Sequence, residues 1–392
     1  MRHSANLKIR ALNARSIYQH NITGHRTPAR HRRAVRSHGR TSGFEKRCFQ
    51  LFGPISKRVA GGHDVMSFFA TPLGQKIGAG LAGIGSIGAM AAAWLPQTIY
   101  LDAFREVVQH YKHGFPLPLT KELEDRANRV LQDFTKLSEA KKASIRFFHV
   151  SRLEPWHAGT PESGYGAIIG LPINFTFRSV KDVQTREMKL FTGRSIEWDT
   201  PAGEVFKKSM IMSDEAQRFA IAQQIYLTNT SEVTVRALAA CGAALNTFII
   251  SKLVNRRIPR QTPFAGRCIV YAGVSLVCII GYLAINDMAR YKYERDSINV
   301  VAKLGPDYRQ GAIEYFEKRI VQNKALRILL GDKGTSMFTV KGNVSTWLRT
   351  PHMPLSICLD QAKRAKKNME EICDVCEEIS GTKSSKKANN KE

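Results

Sequence analysis

The chain has 392 residues, 43% of them hydrophobic, and a formal net charge of +26, from 59 Lys and Arg against 33 Asp and Glu. Such a charge raises the question of nucleic-acid binding, but no basic cluster is interleaved with aromatic residues on a recognisable module, and most of the excess sits in residues 1–60 and in the short loop 252–267. The cysteines (Cys48, Cys241, Cys268, Cys278, Cys358, Cys373 and Cys376) are too scattered for a disulfide framework to be read from their spacing.

Residues 1–60 carry fourteen Lys and Arg and one acid, Glu45. They contain Ser and His and no apolar core near Met1, the composition expected of a mitochondrial transit leader rather than a secretory signal. Residues 77–95 follow without a formal charge, and so, later, do residues 268–286. At roughly 1.5 Å per residue each run covers about 28 Å, close to the hydrocarbon thickness of a bilayer. The mean hydropathy of −0.25 conceals these runs by averaging. In the first span Gly74 and Gly78, then Ala79 and Gly83, are four apart on one helix face. Small residues at that spacing let two helix backbones approach closely in lipid. Gly78, Gly80 and Gly83 also spell a dinucleotide-binding pattern, but no strand precedes them and no βαβ unit surrounds them.

Residues 96–232 read as a small α+β domain, long enough to bury a core. Thr120 is placed to cap a helix whose stripe is Leu123, Ala127, Val130, Leu131, Phe134 and Leu137. Three β-leaning runs follow, 147–150, 167–171 and 173–177, the last two broken by Pro172. Thr200 and Pro201 look like the N-cap and first residue of a helix, and Ser213 caps another.

The second span is assigned to 233–251. Only 237–251 is free of charge, so Arg236 must snorkel to the interface, and a buried core helix is the alternative. Asn246 within it is expected to bond across helices. The loop 252–267 carries Lys252, Arg256, Arg257, Arg260 and Arg267 with no acid. The third span, 268–286, leads to a mainly helical segment, 287–355. There residues 308–321 form one helix, Asn323 caps a second that stops at Gly331, and 337–340 with 344–348 form a hairpin about Gly342. Residues 356–392 read as a helical, then disordered tail. Cys373 and Cys376 lie in that tail and lack the further ligands a structural zinc site needs.

Charge orients the spans. Residues 94–232 hold 18 basic and 17 acidic residues, whereas the leader and the 252–267 loop are strongly basic. Positive charge stays on the side of insertion, so leader and loop share one face, as three spans also require. In a mitochondrion that face is the matrix, and 96–232 and the C-terminus lie in the intermembrane space. Little in the sequence supports catalysis. His149, Glu154 and His157 match no metal-site spacing. The spans lack the ionisable residues and internal repeat expected of a transporter. No catalytic, cofactor or metal residues are assigned.

Three blocks resemble the transmembrane protein 177 family: residues 170–175 (GLPINF); 196–204 (IEWDTPAGE) running on to 213–222 (SDEAQRFAIA); and 311–318 (GAIEYFEK) with 325–331 (ALRILLG) and Gly342-Asn343. The resemblance covers roughly residues 75–355; the basic leader and Lys-rich tail depart from it. It implies a non-catalytic inner-membrane assembly factor that stabilises the chaperone complex holding newly made cytochrome c oxidase subunit 2. The partners so implied are that subunit and its chaperone, with copper-delivery factors as further candidates, besides the lipid bilayer. No cofactor is implied. A small-solute carrier and a membrane-bound enzyme are the alternatives.

Overall fold

A computed structural model describes residues 71–183, 198–259, 262–346 and 349–379; of Phe264 and residues 369–379 only the backbone is described. The leader, Arg260, Trp347, Leu348 and the tail beyond 379 lie outside these residues. The chain divides into two compact units, Met1–Leu81 and Ala82–Glu392. In the first, the described part is the opening of helix α1 (Pro72–Trp94), which carries Gly74, Gly78 and Ala79.

The second unit is an α+β domain joined to membrane helices. After a 3-10 turn at Leu95–Gln97 come α2 (Leu101–Val108), a minimal hairpin of β1 (Tyr111–Lys112) and β2 (Phe115–Pro116), then α3 (Lys121–Gln132) and α4 (Glu139–Ala143). A three-stranded sheet is built from β3 (Ile145–Val150), β4 (Trp156–Thr160) and β5 (Gly166–Pro172), in the order β3-β5-β4. The central strand β5 pairs parallel with β3 and antiparallel with β4, and every residue of it is buried. Its side chains alternate between two layers: Ile168 joins Leu101, Phe148, Val150 and Ala158 under α2, whereas Ala167, Ile169 and Leu171 enter the main core.

Helices α5 (Pro201–Ser209) and α6 (Asp214–Thr228) follow, then α7 (Glu232–Arg257) and the 38-residue α8 (Phe264–Val301). The last described elements are α9 (Pro306–Leu329), α10 (Asp332–Met337) and α11 (Leu355–Ile379). The main core is shared by residues from both sides of the spans. Leu123, Ala127, Phe219 and Ile225 meet Ile298, Val301, Tyr315, Phe316, Cys358 and Ala362 in one cluster. Residues 96–232 and 287–355, separated in sequence by two spans, therefore close a single core. Helices α6 and α9 cross closely at Gly311, where a Cβ would lie 2.2 Å from the Glu215 carbonyl oxygen.

Among the described residues three helices are long and apolar enough to cross a membrane: Pro72–Gln97 (taken with its terminal turn), Glu232–Arg257 and Ala265–Val301. Only 6% of the apolar window of the second is buried, so it is not the core helix that its short charge-free run allowed. At about 57 Å, α8 is roughly twice a bilayer's hydrocarbon thickness. It continues fifteen residues past the expected end of the third span, at Asn286, and its last turns plug the core.

Several local expectations hold. The Oγ1 of Thr200 accepts from the Gly203 N–H at 3.2 Å, and the Ser213 hydroxyl accepts from the Ala216 N–H at 3.1 Å. Others need correction. Thr120 occupies the N-cap position of α3, but its hydroxyl makes no capping bond. Residues 173–177 are not a strand: Ile173–Thr176 is a 3-10 turn, stabilised when the Thr176 hydroxyl donates to the Ile173 carbonyl and the Asn174 amide donates to Met210 O. The edge strand β4 was not foreseen. Asn323 is no cap; it is buried inside the continuous helix α9 and donates to the Gly342 carbonyl at 2.8 Å. That bond and the Asn343–Ser356 pair pin the 339–343 turn onto neighbouring helices, and the expected hairpin is reduced among the described residues to one bridge, Phe338 to Val344.

Candidate functional site

The densest polar constellation lies where α7 and α8 leave the membrane segment and meet the sheet. Between α6 and α7 the helix is interrupted only at 229–231, so Glu232 opens α7 directly beneath the domain. Its Oε1 accepts from Arg236, one turn on, at 2.5 Å, and from Arg290 of α8 at 3.0 Å (Nε) and 2.7 Å (NH2). Glu232 Oε2 lies 3.9 Å from His157 Nε2 on β4. His157 Nδ1 is 2.7 Å from Gln224 Oε1, which assigns the proton to Nδ1. Burial above all holds the His157 pKa below its ordinary value, against the opposing pull of Glu232 and Gln224. One buried carboxylate thus ties α7 to α8, while the edge strand beside it is bonded to α6 through His157 and Gln224.

Two further contacts continue the joint along α8. Asp287 is gripped by the Arg349 guanidinium, with Nε to Oδ2 and NH2 to Oδ1 both at 2.7 Å. Glu294 accepts from the Met353 N–H at 2.7 Å and lies 2.6 Å from His352 Nδ1. A separate network stiffens the domain: Asp214 accepts from Arg126 at 2.8 Å and from Arg178 at 2.9 Å, and Arg178 also meets Glu122. These are arrangements that hold elements in place. In each of these contacts the carboxylate meets a guanidinium, an imidazole or a backbone N–H that fixes its position.

The histidines singled out by sequence do not converge. His149 is buried on β3, with Nδ1 3.3 Å from the Leu171 carbonyl, and desolvation lowers its pKa. Glu154 instead pairs with the buried Arg319 of α9. Asp199 is fully exposed, 3.8 Å from Lys207. Among the described residues no group of three or more His, Cys, Asp and Glu is placed to hold a metal ion. An open groove along α3 is lined by Glu122, Asp125, Arg129, Asp133 and Arg218, and the Tyr308 hydroxyl donates to Asp133 beside it.

The proposed packing and topology residues fall as follows. Gly83 lies on α1 with open space around the position of a Cβ, as do Gly85 and Gly88. Asn246 is exposed on α7 with no hydrogen-bond partner among the described residues. Lys252, Arg256 and Arg257 are exposed in the last turns of α7. Arg267, in the first turn of α8, folds the connection back on itself, donating to Asn255 Oδ1 at 3.0 Å and to the Pro259 carbonyl at 3.3 Å. Glu232 and Arg290 were not foreseen as a pair. Their 58-residue separation hides the contact; a lone acid at the mouth of a span was the available signal.

A domain closed by helices that precede and follow a membrane hairpin, whose two helices are clamped at their mouth by a buried carboxylate, defines a multi-pass membrane protein whose folded part sits against its spans. The family model for transmembrane protein 177 matches residues 107–378, well over half of the sequence, and the chain belongs to that family. It is 26% identical to transmembrane protein 177 of Xenopus laevis over 303 residues, covering 76% of this chain and 96% of the relative. For the human protein the identity is 28% over 273 residues, 67% of this chain and 83% of the relative. The Danio rerio protein is 29% identical over 252 residues, with coverage of 62% and 77%. No solved structure matches the chain.

Proposed function

We propose that the protein is a non-catalytic assembly factor of the mitochondrial inner membrane, which stabilises the chaperone complex holding newly made cytochrome c oxidase subunit 2. Family membership across residues 107–378 carries the reading. The acid-poor, basic residues 1–60 support the mitochondrial address. In this reading leader and 252–267 loop face the matrix, and the domain faces the intermembrane space, where the soluble part of subunit 2 would be met. Exposed faces of the spans, Gly83 and Asn246 among them, are the places for partner helices. The counter-charged state of Glu232, Glu154 and Asp214 suits a scaffold better than an enzyme. No cofactor belongs to the reading.

Affinity purification of the full chain from mitochondria, followed by mass spectrometry, tests it. Subunit 2 and its chaperone are expected to co-purify; recovery of neither would remove the reading. Protease added to mitoplasts is expected to cut within 96–232, and protection there would reverse the orientation.

A further inference from the structure

We infer that the domain rests on the bilayer along its β4 edge, with Ile99, Tyr100 and Tyr165 seated in the phospholipid headgroup layer as an anchor continuous with span 1. The level of these residues follows from contacts. Span 1 ends at Trp94, and the chain then folds back on that end: the Thr98 hydroxyl donates to the Trp94 carbonyl at 3.0 Å, and the Tyr100 N–H to the Leu95 carbonyl at 3.1 Å. Ile99 and Tyr100 are therefore held at the mouth of the span, yet 52% and 58% exposed. Tyr165, in the turn between β4 and β5, is 49% exposed and meets Trp94 edge-on, with ring centroids 6.3 Å apart. Gln97 fixes the same end of β4 by accepting from the Gly159 N–H at 3.1 Å.

The other end of β4 is held at the same level. His157 faces Glu232, the first residue of span 2, and Glu232 binds Arg290 on α8. Both ends of one short strand thus abut span mouths, so β4 runs along the membrane surface rather than away from it. Exposed apolar and aromatic side chains at that depth fit the headgroup layer, where amphipathic rings are favoured on both counts: apolar body toward the chains, hydroxyl toward water. A soluble partner would have to displace the lipid expected at the mouth of span 1, where Trp94 ends the apolar helix.

The test uses the full chain in nanodiscs of phosphatidylcholine and phosphatidylglycerol, doped with a phospholipid bearing a photoactivatable diazirine near its headgroup. After irradiation, adducts are mapped by mass spectrometry. Adducts are expected on residues 98–101 and on Tyr165 at yields comparable to Trp94, and not on Lys303, which is exposed just past the end of α8, a helix that runs about 21 Å from Asp287 to Val301. Labelling of Trp94 with residues 98–101 and Tyr165 unlabelled would overturn the proposal. Labelling of Lys303 at the yield of Tyr165 would do so as well, since lipid contact would then not be confined to the β4 edge.

Discussion

Arg290 of the third membrane helix reaches Glu232 at the mouth of the second, its NH2 2.7 Å from Oε1, and the same oxygen accepts from Arg236 at 2.5 Å. The carboxylate is almost wholly buried, whereas the two guanidiniums are about a quarter exposed. Removing the acid leaves two cations facing each other at the joint. Glu232→Ala is expected to destabilise the folded chain by about 2–3 kcal/mol, below the ~3–5 kcal/mol of a fully buried pair because the partners are partly solvated. Arg236→Ala, which leaves Arg290 in place, should cost less. Thermal unfolding of the purified protein in nanodiscs measures both; equal effects would mean the joint does not work through Glu232.

Gly311→Ala should disrupt the α6–α9 crossing. The added Cβ would sit 2.2 Å from Glu215 O, and backbone cannot give way as a side-chain tip can. A loss of about 2–3 kcal/mol is expected, in the upper part of the range for overpacking. Gly273→Ala on α8 meets nothing within 4 Å and serves as the control. It should be neutral or slightly stabilising, since alanine favours helix more than glycine. Denaturant or thermal melts distinguish the two.

Stability should fall on mild acidification. Burial lowers the pKa values of His149 and His157 in the folded chain, so below the ordinary histidine value of about 6.5 the unfolded chain takes up protons that the folded one resists. The contribution is therefore present above that pH and is lost as pH falls from it toward the lowered folded values. A second loss follows below about pH 4. Burial alone would raise the Asp214 pKa, but Arg178 and Arg126 outweigh it and hold the carboxyl below its ordinary value, so protonation there removes a stabilising charge. Melting temperature followed from pH 7.5 to 5.5 should decline, and His149→Asn should flatten that slope.

Cys358 should resist alkylation. It is 5% exposed on α11 in the main core, and burial pushes its thiol pKa well above the usual range, with Glu294 adding to the effect. Maleimide labelling followed by mass spectrometry is expected to modify it only as the chain unfolds. Rapid labelling of Cys358 in the native protein would show that α11 is not docked as described.

Much of this architecture was legible in one dimension. The spans announced themselves because lipid tolerates no unpaired charge, and the stripe Leu123–Ala127–Val130–Leu131 gave α3 because its spacing matches the helical repeat. Caps at Thr200 and Ser213 are local chemistry, settled within three residues. The errors arose where distant groups outbid local ones. Asn323 reads as a cap until the Gly342 carbonyl, nineteen residues on, takes its amide inside α9. Residues 173–177 have strand-forming side chains, but the bond from Asn174 to Met210 O and the Thr176 hydroxyl turn them into a 3-10 segment. His149, Glu154 and His157, which the spacing did not favour as a site, each have a partner on a different element.

The sequence by itself determined which segments are apolar enough to leave water, and on which stretches the positive charge is concentrated, because solvation and charge are properties of composition and order. Tertiary structure alone decided that residues before span 2 and after span 3 share one core, and that Glu232 ties span 2 to span 3 beside the sheet. Those contacts join groups 58 or more residues apart, and only the folded path of α8, continuing past its apolar run into the domain, brings them within bonding distance.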